Sequence, residues 1–142
     1  MSTEQRSAPE RPLTVLVYSD DQTVRTQVRL ALGRRPDADL PPLEFVECAT
    51  EPVVIRTMDK GGIDLAILDG EAVPAGGMGM ARQLKDEIYR CPPLLVLIGR
   101  SADAWLATWS KADAVVAHPL DPIALAGTVT RLLRERLGVV PA

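Results

Sequence analysis

Aspartates placed directly after apolar runs are the residues of this chain best suited to do chemistry. Ser19-Asp20-Asp21 follows the run Leu13–Tyr18, and Asp69 follows Ile63–Leu68. Ile98-Gly99-Arg100 and His118-Pro119 close two further apolar segments. Carboxylates brought together repel, and a hard divalent cation with oxygen ligands, such as Mg2+, relieves the repulsion. The same side chains have a plainer use. Acidic residues favour helix N-termini, and Asp21 in particular suits a cap for the helix that follows it. Capping explains Asp20 and Asp69 less well, because both sit just past apolar segments expected to lie side by side.

Other chemistries find less support. No Gly-rich phosphate loop of Walker or Rossmann type follows the first apolar run, and Gly76-Gly77 and Gly79 read as loop flexibility. A nucleophile–histidine pair would have to use His118, the sole histidine, with Ser19 or Ser101. A lone His-Pro after a strand is more often structural, so no catalytic residue is assigned and the chain is read as a non-enzyme. Cys48 and Cys91 form no CxxC, which argues against zinc; Cys48, in an apolar run, reads as a buried small hydrophobe. That cysteine usage fits a reducing cytoplasm.

The elements that position these residues follow from apolar patterning. Leu13–Tyr18, Leu43–Cys48, Ile63–Leu68, Leu94–Ile98 and Asp113–Ala117 read as five strands, the third apolar except for Asp64. Helices are expected over Gln22–Gly33, from a Thr50 cap to Gly61-Gly62, over Met78–Tyr89, after a Ser101 cap, and from Asp121 with Pro122 in its first turn. The last helix has an apolar stripe of Ile123, Ala126, Val129, Leu132, Leu133 and Leu137; the fourth carries Ala102, Trp105, Leu106 and Trp109 on one face. Central strands apolar on both faces call for a parallel sheet covered by helices on both sides. The fold class expected is α/β, flavodoxin-like (βα)5, strand order 2-1-3-4-5. Ligands in such a sheet bind beyond the carboxyl ends of the strands, so Asp20 and Asp69 should face one crevice.

With 142 residues the chain suits one domain, expected over residues 13–138, after a polar tail at residues 1–12 and with no output domain. A net charge of -3 gives no reason to expect nucleic acid or an anionic membrane as partner. No apolar stretch reaches transmembrane length, and the first twelve residues lack a signal-peptide core.

Taken together, "VLVYSDDQTVR" at Val15–Arg25, "DLAILDG" at Asp64–Gly70, "PLLVLIGR" at Pro93–Arg100 and "HPLDPIAL" at His118–Leu125 resemble the receiver domain of two-component response regulators. The resemblance spans about Leu13 to Leu137. It implies that Asp69 accepts a phosphoryl group from a histidine kinase. It also implies Mg2+ held by Asp69, by an acid after the first strand (here Asp20), and by the backbone carbonyl of Glu71. A Ser or Thr after the fourth strand and a Lys after the fifth would bind the phosphoryl oxygens, with an aromatic residue on the fifth strand following the hydroxyl inward.

This chain departs from that pattern at several positions. Aligning Val24-Arg25 with the family's similar pair puts Ser19 at the first acidic position and Asp20 at the second. Ile98 stands where the hydroxyl belongs, Val115 where the aromatic belongs, and His118 where the lysine belongs, followed by the matching Pro119. Pro74 comes one residue later than the usual proline. Ile98 has no donor for a phosphoryl oxygen. His118 is shorter than lysine and charged only below its pKa. The expectation is a stand-alone atypical receiver, or pseudo-receiver, with a degenerate switch at Ser19, Ile98, Val115 and His118. It would act by contact with another protein, a kinase or an effector. The alternative is a conventional receiver, phosphorylated on Asp69 in a Mg2+-dependent reaction. The family's usual contact surface is the face of the fourth helix, fifth strand and fifth helix. Trp105 and Trp109 on that fourth helix are either core residues or anchors for a partner, a second copy included.

Overall fold

A computed structural model describes residues 11–73, 75–99 and 104–138. The expectations for residues 1–10 of the tail, Pro74, Arg100, the Ser101 cap, Ala102 and the segment after Gly138 lie outside the described residues, as does the side chain of Leu106.

The strands are β1 (Leu13–Tyr18), β2 (Leu43–Cys48), β3 (Leu65–Asp69), β4 (Leu94–Ile98) and β5 (Ala114–Ala117). The helices are α1 (Gln22–Leu32), α2 (Glu51–Lys60), α3 (Gly77–Glu87), α4 (Ala104–Ser110) and α5 (Pro122–Leu137). All strand pairs are parallel, in the order β2-β1-β3-β4-β5, as the alternation of apolar runs implied.

Period-two alternation splits the central strands between two cores. Val15, Val17, Leu65, Ile67, Leu95 and Leu97 face one side, under Val28 and Leu32 of α1 and Leu125, Val129, Leu132 and Leu133 of α5. Leu16, Tyr18, Ala66, Leu68, Val96 and Ile98 face the other, under Val54 and Met58 of α2 and Met80, Ala81 and Leu84 of α3. Burial on both faces is why β3 and β4 are apolar almost throughout.

Several sequence expectations are corrected. β3 begins at Leu65 and ends on Asp69 itself. Asp64, just ahead of it, is buried because its carboxylate accepts the Thr14 N–H at 2.9 Å and pairs with Arg136 at 3.2 Å. Of the stripe expected on α5, Val129, Leu132 and Leu133 are buried and Ala126 packs on the same core, but at its ends Ile123 is 84% exposed and Leu137 is exposed, and Leu125 is buried near the start instead. Thr50 occupies the N-cap of α2 without a side-chain cap bond. Asp21 and Asp121 do cap their helices, accepting from the Thr23 and Ile123 N–H groups. α3 stops at Glu87, leaving Tyr89 outside it.

Two glycines fasten the segment after β3. A β-carbon on Gly70 would lie 2.6 Å from the Leu97 carbonyl oxygen. One on Gly77 would lie 2.8 Å from the backbone of Leu68 and Asp69. Gly77 is therefore a close-approach residue that lets α3 start against the end of β3, and not a flexible spacer. Gly127, exposed in the middle of α5, has open space around it. Gly77→Ala is expected to destabilise the protein by about 1–3 kcal/mol through overpacking. Gly127→Ala is expected to stabilise it by about 0.5–1 kcal/mol through helix propensity. Urea unfolding of the two variants checks both the sizes and the opposite signs.

Candidate functional site

β1 and β3 are neighbours in register, with Tyr18 paired to Leu68, so the next residues, Ser19 and Asp69, lie level at the carboxyl edge of the sheet. There a crevice of about 430 Å³ opens. Four carboxylates line it, Asp20, Asp21, Asp69 and Glu71, against a single imidazole, His118, with Val24 and Gly99 completing the wall. The expected meeting of Asp20 and Asp69 across one crevice is what the fold produces.

Asp69 is buried, and its two oxygens are held separately. The Ser19 hydroxyl donates to Oδ2 at 2.8 Å, and the Glu71 N–H donates to Oδ1 at 2.9 Å. His118 Nε2 stands 3.6 Å from Oδ1, beyond a good hydrogen bond. Ser19 is itself without solvent exposure and also accepts the Asp21 N–H at 3.0 Å. The Ser19 hydroxyl is thus committed to Asp69, not to a histidine-activated nucleophile; Ser101 lies outside the described residues.

A further layer fixes Ser19. Its carbonyl accepts from Arg25 Nη1 at 2.6 Å, and Arg25 is steered by Glu47 at 3.0 Å. The Arg25 hydrogen bond, helped by Arg29, holds the Glu47 carboxyl below its ordinary range. On the opposite side, the buried Tyr18 hydroxyl donates to the Ala75 carbonyl at 2.5 Å, and Asp20 Oδ1 accepts the Val73 N–H at 3.3 Å. These two bonds tie the segment after β3 to the end of β1. Burial, reinforced by the charge of Asp20, pushes the Tyr18 phenol up from its ordinary value.

The remaining positions are placed as follows. Ile98 is buried as the last residue of β4, and its carbonyl accepts the His118 N–H at 2.8 Å. His118 leads into Pro119 through a cis peptide bond. Val115 lies on edge strand β5, at the border of exposure. Trp105 is 68% exposed and Trp109 is 46% exposed, which removes the core reading of both. The Arg82 guanidinium covers the Trp109 ring at 4.9 Å and donates to the Trp109 carbonyl.

Three contributions escaped the sequence. Ser19 registered as a missing acid, and nothing in its local pattern marks it as the hydrogen-bond partner of Asp69. Arg25 served only as an alignment landmark. Glu71 was assigned through its carbonyl, while its side chain also reaches the crevice.

Among the described residues, no cluster of three or more His, Cys, Asp and Glu side chains is arranged to hold a metal ion. The hard-oxygen donors required by Mg2+ are nevertheless present in kind, since among the described residues Asp20 engages one long N–H bond and Asp69 faces the same space. No helix among the described residues is long and apolar enough to cross a membrane.

No family model matches the chain. It is 63% identical over 122 residues to response regulatory proteins, themselves uncharacterized, of two Mycobacterium tuberculosis strains, CDC 1551 / Oshkosh and H37Rv; the match covers 86% of this chain and 92% of each relative. Among solved structures, the chemotaxis response regulator CheY4 of Vibrio cholerae superposes with a TM-score of 0.72 at 21% identity, covering 87% of this chain and all (100%) of that one. A CheY-like receiver domain protein from Methanospirillum hungatei gives 0.70 at 16% identity, over 90% and 98% of the two chains.

Ser19→Ala is expected to cost about 1–3 kcal/mol in denaturant unfolding, the penalty for a buried acceptor left without its donor. In an Asp69→Asn background the same change should cost clearly less, because the unanswered charge is gone.

Proposed function

The chain belongs to the response regulator family, and from that premise we propose that it is a stand-alone atypical receiver, signalling through contact with another protein while its phosphoryl-sensing half stays fixed. The observation that carries this reading is Ile98. It is buried and apolar at the end of β4, beside the Asp69 crevice, where a receiver needs a mobile hydroxyl to grip a phosphoryl oxygen. Val115 on β5 is too small to act as a two-position aromatic, and His118 replaces a long, permanently charged lysine with a short imidazole.

The acceptor half is better preserved. In this reading Asp69 is the phosphoacceptor, and Asp20, Asp69 and the Glu71 backbone carbonyl would hold Mg2+. The ion would supply positive charge to offset that of the incoming phosphoryl group. Ser19 and the Glu71 N–H orient the Asp69 carboxylate; Asp21 keeps to capping α1. The donor would be a histidine kinase or a small phosphodonor, and no residue is assigned a role on a metabolite. The conventional-receiver alternative draws on the same retained pair, Asp20 and Asp69. The output surface proposed is the α4–β5–α5 face, where Trp105 is the most exposed aromatic anchor; an effector, a kinase or a second copy of the chain would bind there. A bacterial, cytoplasmic setting is part of the same proposal.

Incubation with acetyl phosphate and Mg2+, followed by intact mass, tests the reading. Labelling well below that of a working receiver treated in parallel is expected, and none in Asp69→Ala. Rapid stoichiometric labelling of the wild type would favour the conventional receiver.

A further inference from the structure

We propose that the Glu71 side chain is a built-in gate on Asp69, an internal carboxylate seated on Gly99 that holds off anionic phosphodonors. The inference rests on reading Asp69 as the acceptor.

The position of the carboxylate is set by two neighbours. The Glu71 N–H is bonded to Asp69 Oδ1, which fixes the Glu71 backbone at the rim of the crevice. From there the side chain crosses from the end of β3 to the end of β4. A β-carbon built on Gly99 would lie 2.6 Å from Glu71 Cδ and Oε1 and 2.9 Å from Oε2. The whole carboxylate therefore rests against the Gly99 backbone, in space that any side chain at position 99 would claim. Both residues line the crevice that contains Asp69.

The charge balance makes this seat consequential. A phosphodonor brings about two negative charges at neutral pH into a crevice that already holds Asp20, Asp21 and Asp69. Glu71 adds a fourth carboxylate on the β4 side, next to Ile98, which has no donor to offer. Among the described residues lining the crevice, His118 is the one able to carry positive charge. Charges within several ångströms in a partly desolvated site repel strongly and respond to ionic strength.

The step gated is phosphoryl transfer from an acyl phosphate. An Asp69 carboxylate oxygen forms a new bond to phosphorus, while the bond from phosphorus to the acyl oxygen breaks. The electron pair leaves with the acyl group as a free carboxylate, and no proton is gained or lost.

Glu71→Gln keeps the length of the side chain, the backbone N–H and the backbone carbonyl, and removes the charge. With acetyl phosphate and saturating Mg2+, the labelling rate by intact mass should rise about tenfold. Affinity for beryllofluoride, which binds without covalent transfer, should rise in the same direction by fluorine NMR. The wild-type rate should climb with added salt more steeply than that of the variant, a difference that a merely structural role would not produce. Equal rates in wild type and a Glu71→Gln variant of unchanged melting temperature, including no labelling in either, would overturn the gate and leave the atypical-receiver reading standing. Wild-type labelling as fast as that of a working receiver would overturn both.

Discussion

A carboxylate buried at the end of a central strand must be answered by donors, and the local structure around Asp69 follows from that demand. Its oxygens are met by the Ser19 hydroxyl and the Glu71 N–H. Each donor has its own support. Pairing of β1 with β3 brings Ser19 level with Asp69, and Arg25 grips the Ser19 carbonyl from α1. The Glu71 N–H is aimed by the turn after β3, which Gly70 and Gly77 allow to fold tightly against β4 and α3. The crevice is thus an outcome of sheet register and two close backbone approaches, not of the acidic residues alone.

Ser19 changes what an acidic crevice of this kind does. A second acid in its place would set two buried negative charges side by side and make a cation nearly obligatory. A hydroxyl instead neutralises part of the demand internally and pins one Asp69 oxygen. On the other side of the crevice the described wall is Gly99 and His118, with Ile98 buried just ahead of Gly99, and none of these offers a long or permanently charged donor. Among the described residues, a carboxylate held by its own chain thus faces a wall with few side-chain donors.

The fold was largely legible because its signal is collective. Five apolar runs separated by helical patterns leave few ways to build a parallel sheet, and β1, β2 and β4 match their expected limits residue for residue. Asp20 and Asp69 were legible for the same reason, since strand order alone makes them neighbours. What was not legible depends on side-chain direction. Ser19 could have pointed anywhere until the β1–β3 register was known. The carboxylate of Glu71 lies on Gly99 because of a turn whose path no local pattern prescribes. Ile123 looked like a core residue by spacing, yet it is exposed and Leu125 takes the inward position near the start of α5. Trp105 and Trp109 looked equally fit for core or surface, because a seven-residue helix carries too little pattern to decide.

The central claim is that the sensing half of the crevice is fixed while the acceptor half remains intact. Backbone and indole amide NMR spectra recorded with and without Mg2+ and beryllofluoride address it most directly. A fixed sensing half predicts shift changes confined to the neighbourhood of Asp20 and the segment from Asp69 to Ala75, with the Val115 amide and the Trp105 and Trp109 indole signals unmoved. Shifts spreading through β5 to both indoles would contradict it and show a working switch.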